Sequence, residues 1–203
     1  KYVPKDRPVV LTAALYQLTK TKNLTADPNP DSAFFSVQSG EIRSRGVELE
    51  AKAALNANVN LTASYTYTDA EYTEDTSLKG KTPVQVPKHM ASLWTDYTFH
   101  ETALSGVTIG AGVRYVGESQ GLYAETPTNT SAGLSNQNFK VAGYTTVDAA
   151  LKYDLGRFGL PGSTVGVNVN NLFNREYVAS CYREYACYWG AERQIVGTAT
   201  FRF

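Results

Sequence analysis

Apolar and polar residues alternate one by one along much of this 203-residue chain. In the C-terminal stretch QIVGTATFRF, the apolar side is formed by Ile195, Gly197, Ala199, Phe201 and Phe203. The same alternation recurs in VELEAKAAL, VNLTASYTY, VTIGAGVRYVG and TTVDAALKYDL. Because successive side chains of a strand point to opposite faces, each stretch predicts a β-strand with one apolar and one polar face. No segment of comparable length has a helical period, so the chain is predicted to be all-β.

The alternation predicts about eight antiparallel strands whose connections differ in length. We place the strands near residues 9–20, 34–55, 58–73, 87–99, 106–120, 143–155, 163–179 and 191–203. The connections alternate between short ones, at 56–58, 100–106 and 156–162, and long polar ones, at 22–33, 74–85, 122–140 and around the two cysteines. Short turns at one end and long loops at the other are typical of outer-membrane β-barrels.

Alternation alone does not decide whether the apolar faces contact lipid or fill the inside of a soluble barrel. The polar faces carry mid-strand charges such as Glu48, Lys52, Arg114 and Asp148, which suit a water-filled lumen. Many apolar-face residues are small, and the 14 tyrosines gather near strand ends, as an interfacial girdle requires. We therefore predict an antiparallel transmembrane β-barrel with lipid-facing apolar sides. A run of about 18–20 apolar residues is missing, which excludes helical spans only.

Charge and motifs argue against two other classes of protein. The 19 basic and 19 acidic residues cancel, whereas a protein that binds nucleic acid through its phosphates has a basic excess. The chain has no HExxH, no P-loop and no GxGxxG in a βα context. His100 lies on a predicted short periplasmic turn, and His89 begins a strand with no nearby nucleophile pattern. We expect no nucleic-acid partner, no catalytic residues and no bound metal.

The only two cysteines, Cys181 and Cys187, lie in the stretch CYREYACYWG with five residues between them. This spacing is too wide for a CxxC redox pair, and zinc would need further ligands. A disulfide in an oxidising compartment is favoured over two free thiols. The aromatic residues of this stretch offer rigid surfaces to a ligand, or else only anchor the loop. These candidate ligand-binding residues are Tyr182, Tyr185, Tyr188 and Trp189.

Three groups of charged residues are candidates for contacts with ions, lipid or other side chains. One acidic group is compatible with a calcium site, but more simply with a solvated loop or a contact with cation-bridged lipopolysaccharide; it comprises Asp69, Glu71, Glu74 and Asp75. Three lysines are candidates for contacts with lipid phosphates: Lys79, Lys81 and Lys88. We interpret Arg175 and Glu176 as parts of a salt bridge in the lumen, on a strand that approaches the rim.

Three stretches resemble the TonB-dependent outer-membrane siderophore receptors. The first is NNLFNREY (Asn170–Tyr177), followed by a loop and a final strand that ends in Phe. The second is EIRSRGVELEAKA (Glu41–Ala53), and the third is VPKHMASLWTDYTF. Together with a Cys–aromatic loop just before WGAERQ, the set is most similar to the ferrichrome (ferric hydroxamate) receptor type.

This resemblance implies a fold and a function. Residues 1–203 would be about eight C-terminal strands of a plugged barrel of roughly 22 strands, with the plug domain and the earlier strands absent. The receptor would import an iron(III)–hydroxamate siderophore across the outer membrane of a Gram-negative bacterium. The siderophore is cargo, and no covalently bound cofactor is expected.

The resemblance also implies partners. The inner-membrane TonB complex would drive transport through the missing N-terminal region, and the aromatic residue after the first cysteine, here Tyr182, would contact the siderophore. Lipopolysaccharide, bacteriophage and bacteriocins are further expected partners. A passive outer-membrane pore, or another siderophore or bacteriocin receptor of the same family, is the alternative.

Overall fold

The computed structural model describes residues 1–4, 8–29, 31, 35–101, 103–123, 138–183 and 186–202, with the backbone alone at 182–183. Within these ranges the chain forms twelve β-strands and the short 3-10 helix Leu155–Phe158. The strands are β1 (Val9–Ala26), β2 (Ser36–Ala54), β3 (Val59–Glu74), β4 (His89–Thr98), β5 (Val107–Val116), β6 (Ser119–Leu122), β7 (Phe139–Val141), β8 (Tyr144–Asp154), β9 (Thr164–Asn170), β10 (Val178–Arg183), β11 (Ala186–Trp189) and β12 (Gln194–Thr200). Among the described residues, no helix is both long and apolar enough to cross a lipid bilayer.

Eight strands form one antiparallel sheet in the order β1-β2-β3-β4-β5-β8-β9-β12. The other four form two hairpins, β6–β7 and β10–β11, which lie in the β5–β8 and β9–β12 connections. The predicted eight-stranded antiparallel architecture is therefore confirmed, and the two hairpins are additions that alternation did not predict. The strand predicted at 163–179 ends at Asn170, because Asn171 adopts a left-handed φ of 52° and turns the chain out of the sheet.

Cross-strand pairing aligns the apolar sides of all eight strands. One row of paired residues crosses the whole sheet: Val9, Ala53, Leu61, Thr95, Ala111, Ala149, Val169 and Ile195. A neighbouring row, displaced by one residue along the strands, points to the opposite side and includes Asn60, Asp96, Gly110, Ala150 and Asn168. We call these two sides the apolar face and the polar face.

The apolar face covers no hydrophobic core. Among the described residues, the buried hydrophobic side chains are those of Ala70, Val141 and Cys181. By contrast, Leu15 is 84% exposed and Ile195 is 67% exposed. A soluble barrel of the lipocalin type would bury such side chains in its interior. The apolar side chains of this sheet are instead exposed, which does not fit that alternative.

Aromatic side chains flank the apolar face near both ends of the strands. Near one end, the hydroxyl of Tyr65 lies 2.9 Å from Nδ1 of His89, and the two rings stack. Near the other end, ring pairs are formed by Tyr97 with Phe99 and by Tyr153 with Phe158. This arrangement agrees with the predicted aromatic girdles, which place amphipathic rings at the level of the lipid headgroups.

The two ends of the sheet also differ in their connections, as predicted. The tight turn between β2 and β3 is fixed by Asn56, whose Oδ1 accepts hydrogen bonds from the backbone nitrogens of Asn58 (2.8 Å) and Val59 (2.9 Å). Compact turns also join β4 to β5 and β8 to β9. The opposite end, which we call the loop end, carries the connections 27–35, 75–88, 117–143 and 171–193.

Candidate functional site

The two cysteines lie at the loop end, in the β10–β11 hairpin. Cys181 and Cys187 face each other across the two strands and are joined by a disulfide with an S–S distance of 2.03 Å. The predicted disulfide is therefore confirmed. It closes a ring of a few residues at the tip of the hairpin, which restricts the conformations that the tip can adopt.

Two of the four predicted ligand-binding side chains are described by the structure. Tyr188 is 59% exposed and Trp189 is 72% exposed, both on β11. Because they are consecutive residues of a strand, their side chains point to opposite faces of the hairpin. A ligand on one face would therefore contact one of them directly. The side chain of Tyr182 and the whole of Tyr185 lie outside the described residues.

The disulfide hairpin packs against the second hairpin, β6–β7, which alternation did not predict. Strand β10 contacts both β6 and β7, and each hairpin has a buried residue, Cys181 at 3% exposure and Val141 at 5%. Gly121 is required in β6, because a Cβ atom there would lie 2.2 Å from the ring of Phe139. This contact lies within the β6–β7 hairpin, and Gly121 is the residue of the sequence that indicates it.

A third connection at the loop end reaches both hairpins through Gln85. Its backbone nitrogen donates to the carbonyl oxygen of Gln120 at 2.9 Å, and its side-chain nitrogen lies 3.4 Å from Oγ of Ser180. Gln85 adopts a left-handed φ of 65°. Its backbone contacts the β6–β7 hairpin, and its side chain contacts the β10–β11 hairpin. Three connections that are distant in sequence therefore meet around the disulfide.

Two lysines at the loop end pair with carboxylates, and a third lies near an aromatic ring. Lys140 donates to Oε1 of Glu118 at 2.6 Å, and this hydrogen bond raises the pKa of Lys140. The ammonium group of Lys81, which was a candidate for lipid phosphate, lies 5.0 Å from the ring centre of Tyr123. Lys79, a second such candidate, pairs with Glu74 at 3.0 Å.

The acidic group on β3 and after it is also paired. Asp69 and Glu71 form ion pairs with arginines of β2, Arg45 at 3.0 Å and Arg43 at 3.2 Å. Asp75 instead caps a turn, since its Oδ1 accepts from two backbone nitrogens. In the described part of the chain, no three His, Cys, Asp or Glu side chains group as metal ligands would. Three of these four carboxylates lie on strand β3 and pair with basic side chains, so the solvated-loop interpretation fits only Asp75.

The NNLFNREY stretch forms a turn and the base of the disulfide hairpin, not the strand that we predicted. The guanidinium group of Arg175 donates to the backbone carbonyl of Thr145 at 3.1 Å. Neither Arg175 nor Glu176 forms an ion pair with another described residue, and the lumen salt bridge stays a prediction. Charge-pair reasoning missed the contact because its acceptor is a backbone oxygen.

A separate cavity of about 520 Å³ lies on the polar face toward the short turns. Hydrogen-bonding side chains such as Asn60, Asp96 and Asn168 line it together with Trp94. The indole of Trp94 lies over β5, where Cβ atoms at Gly110 and Gly112 would each approach it to 2.5 Å. None of the described predicted ligand-binding residues borders this cavity.

A family model described as "TonB dependent receptor-like, beta-barrel" matches residues 5–172. The chain belongs to the TonB-dependent receptor β-barrel family. Proteins of this family are outer-membrane β-barrels, which agrees with the lipid-accessible apolar face.

Among curated relatives of this TonB-dependent receptor chain, the "Ferrichrome outer membrane transporter/phage receptor" of Escherichia coli K12 is 63% identical over 203 residues. The alignment covers 100% of this chain and 25% of that protein. The "Ferrioxamine B receptor" of Salmonella typhimurium SL1344 is 39% identical over 204 residues, covering 100% of this chain and 27% of the relative. The chain thus spans about a quarter of the length of these relatives.

Solved receptor structures share the fold. The unliganded ferric citrate transporter FecA superposes with a TM-score of 0.75 at 21% identity, covering 98% of this chain and 29% of FecA. The closed form of the ferric-catecholate import receptor Fiu from E. coli K12 gives a TM-score of 0.70 at 25% identity, covering 98% of this chain and 26% of Fiu.

Proposed function

We propose that this chain is part of an outer-membrane receptor that imports a ferrichrome-like iron(III)–hydroxamate siderophore. The observation that carries the proposal is the 63% identity to the E. coli ferrichrome transporter, which extends over the whole chain, including the disulfide hairpin. The related proteins named above are transporters and receptors, which favours binding and transport over enzymatic chemistry.

The chemistry of the loop end is consistent with a neutral ligand. A ferric hydroxamate complex of the ferrichrome type is compact and uncharged overall, so it suits aromatic surfaces such as those of Tyr188 and Trp189. A triply anionic catecholate complex would favour a cluster of arginines. Near the two hairpins, Lys140 and Lys79 are instead paired with carboxylates.

We propose that Tyr182, Tyr185, Tyr188 and Trp189 form the part of the ligand site that this chain contributes. Tyr182 follows the first cysteine of the ring, where the resemblance implies an aromatic contact to the siderophore. The opposite orientations of Tyr188 and Trp189 refine this proposal, since only one of them shares a face of the hairpin with a given ligand. The disulfide supports it by reducing the ordering entropy that ligand contact costs.

The remaining parts of the receptor are also proposed. We infer that residues 1–203 are a C-terminal portion of the barrel, and that a plug and earlier strands belong to the complete protein. The described sheet supports this, because β1 and β12 stand at its opposite edges and do not pair with each other. The cavity beside Trp94 would then face the plug. We also propose that the complete receptor couples to TonB and contacts lipopolysaccharide.

Ligand binding to the full-length receptor tests the proposed function. Equilibrium titration should show tight binding of ferrichrome and much weaker binding of a ferric tricatecholate of similar size. Ferrioxamine B, at equal concentration, serves as a competing chelate. Failure to bind ferrichrome, with binding of the catecholate instead, would contradict the hydroxamate assignment.

A second function, as a docking surface for phage or bacteriocins, is favoured by two of the comparisons. The E. coli relative is also named a phage receptor, and a solved complex of the receptor FpvAI with pyocin S2 shares this fold with a TM-score of 0.71 at 20% identity, covering 96% of this chain and 24% of that receptor. The long polar connection 122–140 is the proposed contact, and most of it lies outside the described residues. If the full-length receptor adsorbs phage but binds no iron chelate, only this second function is supported.

A further inference from the structure

The NNLFNREY stretch contains a side chain that joins both sides of the disulfide hairpin's base. We define the neck as residues 171–177, which leave the sheet, and residues 190–193, which return to it. Asn171 is 5% exposed, and its Oδ1 accepts from the backbone nitrogen of Arg175 at 2.8 Å. Its Nδ2 donates to the carbonyl oxygens of Arg175 at 2.8 Å and of Ala191 at 3.0 Å. One amide group therefore links the outgoing and returning segments.

The same residue ties the neck to the wall of the sheet. The backbone nitrogen of Asn171 donates to Oδ1 of Asp148 on β8 at 2.9 Å. The other oxygen of Asp148 accepts from Arg114 of β5 at 2.7 Å, and the Asp148 side chain is only 14% exposed. Leu172 adds a backbone hydrogen bond to Val147 at 2.7 Å. The neck is thus fixed to two neighbouring strands through a nearly buried carboxylate.

A second set of contacts fixes the upper part of the neck to β8. The ring of Tyr177 stacks on that of Tyr144 with centroids 4.0 Å apart. The backbone nitrogen of Gly190 donates to the carbonyl oxygen of Tyr177 at 2.8 Å. A Cβ atom at Gly190 would lie 2.0 Å from the Tyr177 ring, so a larger residue at this position would clash with the ring. The neck therefore contacts the wall along its length.

We propose that Asn171 is a positioning residue for ligand capture: its amide clamps the neck and so holds the β10–β11 hairpin, with Tyr188 and Trp189, in its binding orientation. This inference rests on the proposed siderophore-receptor function. Binding to a hairpin that already has its bound orientation avoids the free-energy cost of ordering a loop. Aspartate would lose both Nδ2 donors, and alanine would also resist the left-handed backbone that asparagine and glycine adopt most readily.

The test uses Asn171→Gly in the full-length receptor, because glycine can adopt the left-handed backbone conformation and lacks the amide of the clamp. We expect the Kd for ferrichrome to rise about tenfold, because binding must then supply the free energy of ordering the hairpin. Hydrogen–deuterium exchange should accelerate in peptides covering 171–177 and 190–193, but not in those covering β8. Asn60→Ala is the control, since it removes an amide that donates to Asp96 on the polar face at 2.9 Å, far from the neck. Its Kd should match the wild type.

The transport kinetics separate positioning from a merely structural role. In the variant, KM should rise while Vmax per folded receptor stays at the wild-type value. An unchanged Kd and unchanged exchange in the neck would overturn the inference, as would a loss of folded receptor with normal affinity in the remainder. If Asn171→Gly does not fold, Asn171→Asp takes its place with the same expected rise in Kd. A wild-type receptor that binds no ferrichrome would overturn the proposed function itself.

Discussion

Tyr16 lies across Gly46 on the polar face, and its hydroxyl lies 2.9 Å from Oγ1 of Thr68. A Cβ atom on Gly46 would lie 2.8 Å from that hydroxyl and 2.0 Å from the carbonyl oxygen of Tyr67. The alternation in VELEAKAAL predicted the strand after Gly46 but not this contact. Period-two patterns assign a side chain to a face, whereas the ring that covers a glycine comes from a neighbouring strand.

Substitution of Gly46 by Ala should destabilise the barrel by about 1–3 kcal/mol, since the ring and the neighbouring strand must both move. The measurement is guanidinium unfolding of the full-length receptor in detergent, followed by tryptophan fluorescence. Gly197→Ala is the matched control, because a Cβ atom there would meet nothing within 4 Å. Equal destabilisation by both substitutions would show that strand glycines matter here for another reason.

At the scale of elements, the eight long strands could be predicted from sequence, and the two hairpins could not. Strands of the sheet alternate over 7 to 19 residues, whereas β6 and β7 contain only 4 and 3 residues. Such short runs give no periodic signal. The disulfide could be predicted because the chain has only two cysteines, but the burial of Cys181 depends on contacts between distant loops.

Replacing both Cys181 and Cys187 by Ser should weaken ferrichrome binding without unfolding the barrel. The hairpin lies outside the eight-stranded sheet, so the barrel does not depend on its disulfide. Opening the small ring gives the loop conformational entropy whose removal on binding costs about 2 kcal/mol. We therefore expect the Kd to rise by up to about thirtyfold, while the midpoint of barrel unfolding stays constant. Ser180→Ala serves as the control, since it removes only the 3.4 Å contact with Gln85. If the double substitution lowers the unfolding midpoint as much as a sheet substitution does, the disulfide hairpin is not independent of the barrel's stability.

At the scale of the whole molecule, the two faces of the sheet were predictable because the side-chain period of a strand is two. The family was also recognisable from NNLFNREY and the Cys–aromatic loop. The placement of Asn171 was not, because its role follows from contacts with Asp148 on another strand and with the returning segment. The four predicted ligand-binding residues stay predictions, as do the plug and the earlier strands.

The account depends on the apolar face contacting acyl chains while the polar face borders water. Nitroxide labels placed singly along β4, from Met90 to Tyr97, test this in the full-length receptor in lipid bilayers, with the native disulfide intact. Leu93 lies on the apolar face, and Ser92, which lies 2.7 Å from Ser64 between their Oγ atoms, lies on the polar face. We predict that a label at 93 collides mainly with oxygen dissolved in lipid and a label at 92 mainly with a water-soluble nickel chelate, with a period of two along the strand. The reverse assignment, or no alternation, would contradict the account.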